Sequence, residues 1–247
     1  MGKAFRVTPD DVLARLPAGC RFSEIRCLAE APSTNLVALE AAEVGAPEGL
    51  VVIADFQTAG RGRLDRRWEA PAGTALLLSA LLRPLDLPPA RRYLVLAATG
   101  LAAREACGRL GSPLPDLKWP NDLMVGDRKL AGIIAEALGD AVVVGVGCNV
   151  SSAPSGAAWL EESGPVDRAE LAAGLLAGLD RRLGRWEEVA DEYARTCSTI
   201  GRRVRIETAA GVVTGRAEAI DPEGALVVDG RAFSVGDVVH VRGSGMS

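Results

Sequence analysis

The sequence predicts an α+β protein: a mixed, mostly antiparallel sheet with helices packed on one face, followed by a small β-barrel. Three observations carry this. Strand-like runs between residues 117 and 146 follow one another through tight turns, which makes antiparallel neighbours rather than helical crossovers. Helical patterning flanks them at 90–110 and 167–193. From Arg203 to Arg242 the chain becomes valine-rich and is punctuated by turns at Ala210-Gly211, Pro222-Glu223-Gly224 and Asp229-Gly230, as in a set of short hairpins. The expected domains are 1–199 and 200–247.

Taken in order, the chain opens with an amphipathic helix over Asp10 to Leu16, ended by Pro17. Ser33-Thr34-Asn35 forms a polar N-cap cluster ahead of Leu36, Leu39 and Ala42, and that helix ends near Gly45. Strands follow at 50–55 and 74–82. A long helix runs from Ala90 to Leu110 after Pro88-Pro89. Leu117-Lys118-Trp119 stops at Pro120, which cannot continue a central strand. Leu123-Met124-Val125, a turn at Gly126-Asp127 and Lys129 to Leu138 form a hairpin, and Gly139-Asp140 leads into the strand at 141–146. Residues 151–166 are rich in Ser, Gly, Pro and Ala and read as a loop.

The 247 residues carry a net charge of -4, with 48% apolar and 24% charged side chains, which predicts a well-packed core and argues against general nucleic-acid binding. The longest apolar run, at 93–103, falls short of the ~20 residues of a membrane span. No apolar leader opens the chain, and five cysteines are scattered without metal-binding or disulfide spacing, so a cytoplasmic location with reduced thiols is expected. The single histidine, His240, reads as a strand residue of no catalytic interest, and acid–base chemistry by histidine is not expected.

Against the negative net charge stands Gly60-Arg61-Gly62-Arg63, followed by Arg66, Arg67 and Trp68: four arginines within seven residues, directly after a strand. The two glycines let backbone approach a ligand closely and adopt positive φ. Arginine forks suit phosphate or carboxylate. Lys118-Trp119-Pro120-Asn121-Asp122 and Lys129-Leu130-Ala131-Gly132 follow, with Lys129 opening an otherwise apolar strand. Gly145-Val146-Gly147-Cys148-Asn149 lacks the third glycine and helix of a dinucleotide fold, and no Walker loop is present. Each motif alone has an ordinary explanation, as a solvated basic loop, a strand-end lysine or turn residues.

Together, and in this order, Ser33-Thr34-Asn35, Gln57-Thr58-Ala59-Gly60-Arg61-Gly62-Arg63, Lys118 to Asp122, Arg128 to Ile133 and Gly147-Cys148-Asn149 closely resemble biotin protein ligases, strongly over about residues 28–150. The resemblance implies a class II aminoacyl-tRNA synthetase-like (biotin–lipoyl ligase) fold with an SH3-like C-terminal barrel. It implies joining of biotin to ATP as biotinyl-5′-AMP, with Mg²⁺ carried on the phosphates rather than by protein ligands. The biotinyl group then passes to a lysine of a biotin carboxyl carrier domain. It implies a biotin site of Ser33, Thr34, Asn35, Gln57, Gly60, Arg61, Gly62, Arg63, Lys129 and Gly132, and an ATP site of Arg61, Arg63, Arg66, Trp68, Asn121, Lys129 and Asn149. Lys129, Arg61, Arg63 and Asp122 would be catalytic, Asp122 toward the incoming lysine amine.

Asp65 stands where many family members carry a glycine. It is expected to pair with a neighbouring arginine, stiffen the loop and slow leakage of the intermediate. With 32 residues before Ser33, no winged helix-turn-helix and no DNA binding are expected. The partner would be a carrier protein, with no nucleic acid and no membrane, and the enzyme a monomer or homodimer. The rival functions are a lipoate–protein ligase of the same fold, a non-catalytic biotin or nucleotide sensor, and an RNA-binding protein. The last is disfavoured by 4% aromatic content.

Overall fold

The structure is a computed structural model and describes residues 7–63, 66–208, 211–234 and 236–241. Its first helix, α1 (Pro9–Leu13), starts where Thr8 and Asp11 form a reciprocal capping box, and it is shorter than its apolar pattern predicts. A strand the pattern did not predict, β1 (Glu24–Leu28), then pairs parallel to β2 (Leu50–Ala54), with α2 (Thr34–Glu43) between them. Then come β3 (Ala75–Leu82), α3 (Tyr93–Arg109), β4 (Asp116–Lys118), β5 (Asp122–Val125), β6 (Arg128–Leu138) and β7 (Ala141–Asn149). The Trp119–Pro120 bond after β4 is cis. The seven strands form one sheet in the order β1-β2-β3-β7-β6-β5-β4, antiparallel except at the β1–β2 edge.

Helices cover both faces of this sheet, which corrects the expectation of one face. Ala38, Ala41 and Ala42 of α2 follow the i, i+3, i+4 spacing of one helical stripe. They pack on Leu50, Val52, Leu81, Ala141 and Val143. The alternate residues of the same strands, such as Val51, Ile53, Leu78, Leu82, Val142 and Val144, face the larger core formed with α3, α4 (Arg168–Asp180) and α5 (Trp186–Thr196). The single helical segment expected at 167–193 is two helices. Gly184, at φ 83°, turns the chain between them.

The valine-rich tail forms β8 (Arg203–Thr208), β9 (Gly211–Ile220), β10 (Leu226–Val228), β11 (Arg231–Phe233) and β12 (Asp237–His240), an antiparallel sheet in the order β11-β10-β9-β8-β12. This is the small SH3-like unit the sequence predicts. The predicted turn at Ala210 and the predicted end at Arg242 lie outside the described residues. Among the described residues no helix is long and apolar enough to cross a membrane. Cys20, Cys107, Cys148 and Cys197 are free thiols.

Polar contacts bind the tail to the large sheet. The Trp119 indole N–H donates to the Gly224 carbonyl at 2.9 Å, and the Trp119 backbone N–H donates to the Thr199 hydroxyl at 3.0 Å. Thr199, fully buried, also lies 3.1 Å from His240 Nε2. Burial first, then Arg202 and Lys118, push the His240 pKa down to about 4, with Asp127 and Asp116 opposing. The folded chain therefore holds this ring neutral where the unfolded chain, with a histidine pKa of about 6.5, protonates it. The contribution to stability is present above pH 6.5 and is lost as pH falls toward 4. Between pH 7 and 5 the wild type should lose about 1 kcal/mol more stability than His240→Gln, a figure discounted for the solvent reaching the ring. Urea unfolding of both proteins at the two pH values measures it.

Candidate functional site

The α2 face of the sheet carries the site, and strand alternation builds its floor. Register places Ser79, Gly145 and Ile134 in one row across β3, β7 and β6, and Leu77, Gly147, Gly132 and Asp122 in the next row, which extends onto β5. At Gly145 and Gly147 side chains are absent where larger ones would fill the space. A methyl on Gly145 would sit 2.1 Å from Asn35 Oδ1, and one on Gly147 2.5 Å from the Trp68 indole. Above this floor opens a cleft of about 130 Å³.

One end of the cleft is neutral and polar. Ser33 is the N-cap residue of α2, as predicted, but its hydroxyl makes no capping bond and lines the cleft. The first helical N–H, of Thr34, donates to Gln57 Oε1 at 2.7 Å, and the Thr34 hydroxyl lies 3.1 Å from the same oxygen. Ser79, fully buried, places its hydroxyl 2.7 Å from Thr34 Oγ1 and 2.6 Å from Asn35 Oδ1. The Asn35 amide donates to Glu136 Oε1 at 2.9 Å. These bonds lock the Asn35 amide in one orientation.

The other end is cationic. The arginine loop folds back on itself: Gly62 N–H donates to the Arg66 carbonyl at 2.7 Å, Trp68 N–H donates to the Gly60 carbonyl at 3.1 Å, and Arg61 bridges Arg67. Arg61, Arg63, Arg66, Arg67 and Lys129 line the cleft, with Asp122 the one carboxylate among its described lining residues. Arg61 Nη1 lies 2.9 Å from Glu136 Oε2. Arg63 donates to Asn121 Oδ1 at 3.2 Å, and Asn121 Nδ2 donates to the Ile133 carbonyl at 2.8 Å. Lys129 Nζ is 2.6 Å from Asp122 Oδ1, an ion pair, and 5.8 Å from the Trp68 ring centroid. Behind the Asn121-Asp122 turn the Tyr193 hydroxyl donates to the Pro120 carbonyl at 3.1 Å. Burial chiefly raises its pKa well above the ordinary value, so it stays a donor.

Most sequence-predicted residues therefore converge: Ser33, Thr34, Asn35, Gln57, Arg61, Gly62, Arg63, Arg66, Trp68, Asn121, Asp122, Lys129 and Gly132 all line the one cleft. Two do not. Gly60 lies behind it, where a methyl would meet the Trp68 carbonyl at 2.2 Å. Close approach rather than positive φ accounts for it, and neither Gly60 nor Gly62 adopts positive φ. Asn149 is buried, donates to the Ala158 carbonyl at 2.9 Å, and lines a neighbouring depression of about 190 Å³ with Arg67, Glu69 and Pro154. Arg67, Trp68 and Lys129 form the wall shared by cleft and depression. Asp65 lies outside the described residues. Ser79, Glu136, Gly145 and Gly147 were not predicted. Ser79 had a signal, being the one polar residue in the apolar run of β3.

This geometry has relatives. The Biotin/lipoate A/B protein ligase family matches residues 29–151 and the Biotin protein ligase C terminal domain matches residues 199–241. The Aquifex aeolicus biotin protein ligase, solved in complex with biotin and ATP, superposes with a TM-score of 0.76 at 25% identity over 90% of this chain and 100% of that one. The biotin--[acetyl-CoA-carboxylase] ligase of Paracoccus denitrificans is 32% identical over 83% of this chain and 94% of its own. That of Mycobacterium tuberculosis is 41% identical over 91% of this chain and 92% of its own. With two fifths of its residues shared with such a ligase along nearly the whole of both chains, this chain belongs to the biotin protein ligase family.

Proposed function

We propose that this protein joins biotin to ATP, releasing pyrophosphate and forming biotinyl-5′-AMP, and then passes the biotinyl group to a lysine of a biotin carboxyl carrier domain. The observation that carries this reading is the single cleft with a neutral polar end, a glycine floor and an excess of cations at the other end. A ureido ring offers two N–H donors and one carbonyl, which suits Ser33, Thr34, Asn35 and Gln57. The floor glycines let two walls of the cleft lie close on the sheet, Gly145 beneath the Asn35 amide and Gly147 beneath the Trp68 indole.

The biotin carboxylate is ionised at neutral pH, so the first step needs no general base. A carboxylate oxygen attacks the α-phosphorus, the bond to the bridging oxygen breaks, and pyrophosphate departs. The obstacle is anion meeting anion, and Lys129, Arg61 and Arg63 oppose it with fixed charge. Arg66 and Trp68 would face the nucleotide, and Asn149, through the neighbouring depression, its far side. Among the described residues no group of three acidic, histidine or cysteine side chains could hold a metal. Mg²⁺ would enter with the ATP phosphates and neutralise part of their charge, and the Asn121 side-chain oxygen, which accepts from Arg63, is the neutral oxygen that would steady it.

In the second step the lysine amine of the carrier attacks the acyl carbon, an amide forms and AMP leaves. When Lys129 turns to the reacting anion, Asp122 becomes available to orient the amine or take its proton. The ligase unit would be 1–199 and the C-terminal unit 200–247, at work in the cytoplasm. ATP–pyrophosphate exchange tests the reading. Biotin should drive exchange and lipoate should not. Exchange driven by lipoate alone would replace the biotin reading by the lipoate one.

A further inference from the structure

Glu136, on β6, is a carboxylate beside a cleft built for an anion. Its two oxygens serve two separate elements that line that cleft: Oε1 accepts from the Asn35 amide at 2.9 Å and Oε2 meets Arg61 Nη1 at 2.9 Å. Asn35 belongs to the buried network with Ser79, and Arg61 to the loop hairpin. Both neighbours are donors only on the atoms they present, so the site between them requires two acceptors. A carboxylate provides them. A glutamine amide offers one oxygen and one NH₂, and either orientation sets a donor against a donor.

We propose that Glu136 is a positioning residue that latches the arginine loop to the ligand-recognising network, so that one side chain couples ring recognition to loop closure. Its consequence for the intermediate rests on the ligase reading above: with Arg61 held, Arg61 and Arg63 stay over the acyl-adenylate and delay its escape. Both contacts of the latch are made within the chain itself. The Arg61 side chain is 52% exposed and that of Glu136 27%, so the pair is weak, salt-sensitive and able to open and close.

The test uses the full chain and Glu136→Gln. Trypsin cuts after arginine, and the loop presents several. In low salt without ligand, the variant loop should be cut about fivefold faster than wild type, the most a half-exposed ion pair supports. The two rates should converge in ~1 M salt, where the Debye length is about 3 Å. Unfolding temperatures measured alongside should agree, which separates the latch from general destabilisation. Equal cutting of the two proteins in low salt overturns the proposal, as does faster cutting that persists unchanged in high salt. A second readout probes the consequence: release of biotinyl-5′-AMP should quicken about fivefold, and raising the salt to ~1 M should bring wild type and variant release rates together. A merely structural role would leave the difference in release unchanged by salt. If wild type forms no biotinyl-5′-AMP, the ligase reading fails while the protease comparison still decides the latch.

Discussion

Lys129→Ala is expected to lower biotin-dependent ATP–pyrophosphate exchange about 10³-fold, the cost typical of removing a preorganised charge at a developing anion. Two effects add. Lys129 Nζ lies 3.3 Å from the position a methyl on Gly132 would take, directly over the floor, so its charge is lost from the meeting point of carboxylate and phosphate. Asp122, whose carboxylate is 2.6 Å from that ammonium and only 20% exposed, is then left as an unopposed anion facing two more. Adding Asp122→Asn to Lys129→Ala should therefore recover part of the exchange, about tenfold, by removing the repulsion. Stability should change by no more than about 1 kcal/mol, because the lysine side chain is 40% exposed. Exchange in Lys129→Ala within tenfold of wild type would remove this residue from the chemistry.

Gly145→Ala should raise the biotin KM about 100-fold in a chain that still folds. The added methyl would sit 2.1 Å from Asn35 Oδ1, 2.9 Å from its Cγ and 3.2 Å from Ser79 Oγ. Gly145 cannot retreat, because β7 is central in the sheet and Val144 and Val146 on either side are anchored in the main core. The Asn35 amide must swing away and give up its bonds to Ser79 and Glu136, each lost buried partner costing about 1–3 kcal/mol. A suitable control is Gly174→Ala in α4, where the methyl meets Ala106 Cβ at an ordinary 3.4 Å, and its biotin KM should be unchanged. Steady-state exchange kinetics at varied biotin concentration, with circular dichroism to confirm the fold, measure both variants. A Gly145→Ala KM within threefold of wild type would mean that Asn35 does not read the ligand.

The two variants also show which parts of the site the sequence made legible. Lys129, Gln57, Asn121 and the loop arginines are polar side chains that interrupt apolar runs or gather in one stretch, and such interruptions show in one dimension. Gly145 and Gly147 act through what they leave out, and that matters only once β7 is registered between β3 and β6. Glu136 lies near the end of a strand that leaves the core, where a charged residue is unremarkable until Asn35 and Arg61 arrive from far along the chain. The fold divides the same way. Strands β2, β3, β6 and β7 follow from apolar runs and turns. The short edge strand β1, with Glu24 and Arg26, lacks that signal. The face covered by α2 depends on its crossing between parallel strands, which strand order alone reveals.

Incubation of the chain with ATP, Mg²⁺, labelled biotin and a biotin carboxyl carrier domain asks whether the cleft activates biotin for transfer to protein. ATP-dependent label is expected on a single lysine of the carrier, and none when Lys129→Ala replaces the wild type. No label on the carrier, or equal labelling by wild type and Lys129→Ala, would show that it does not.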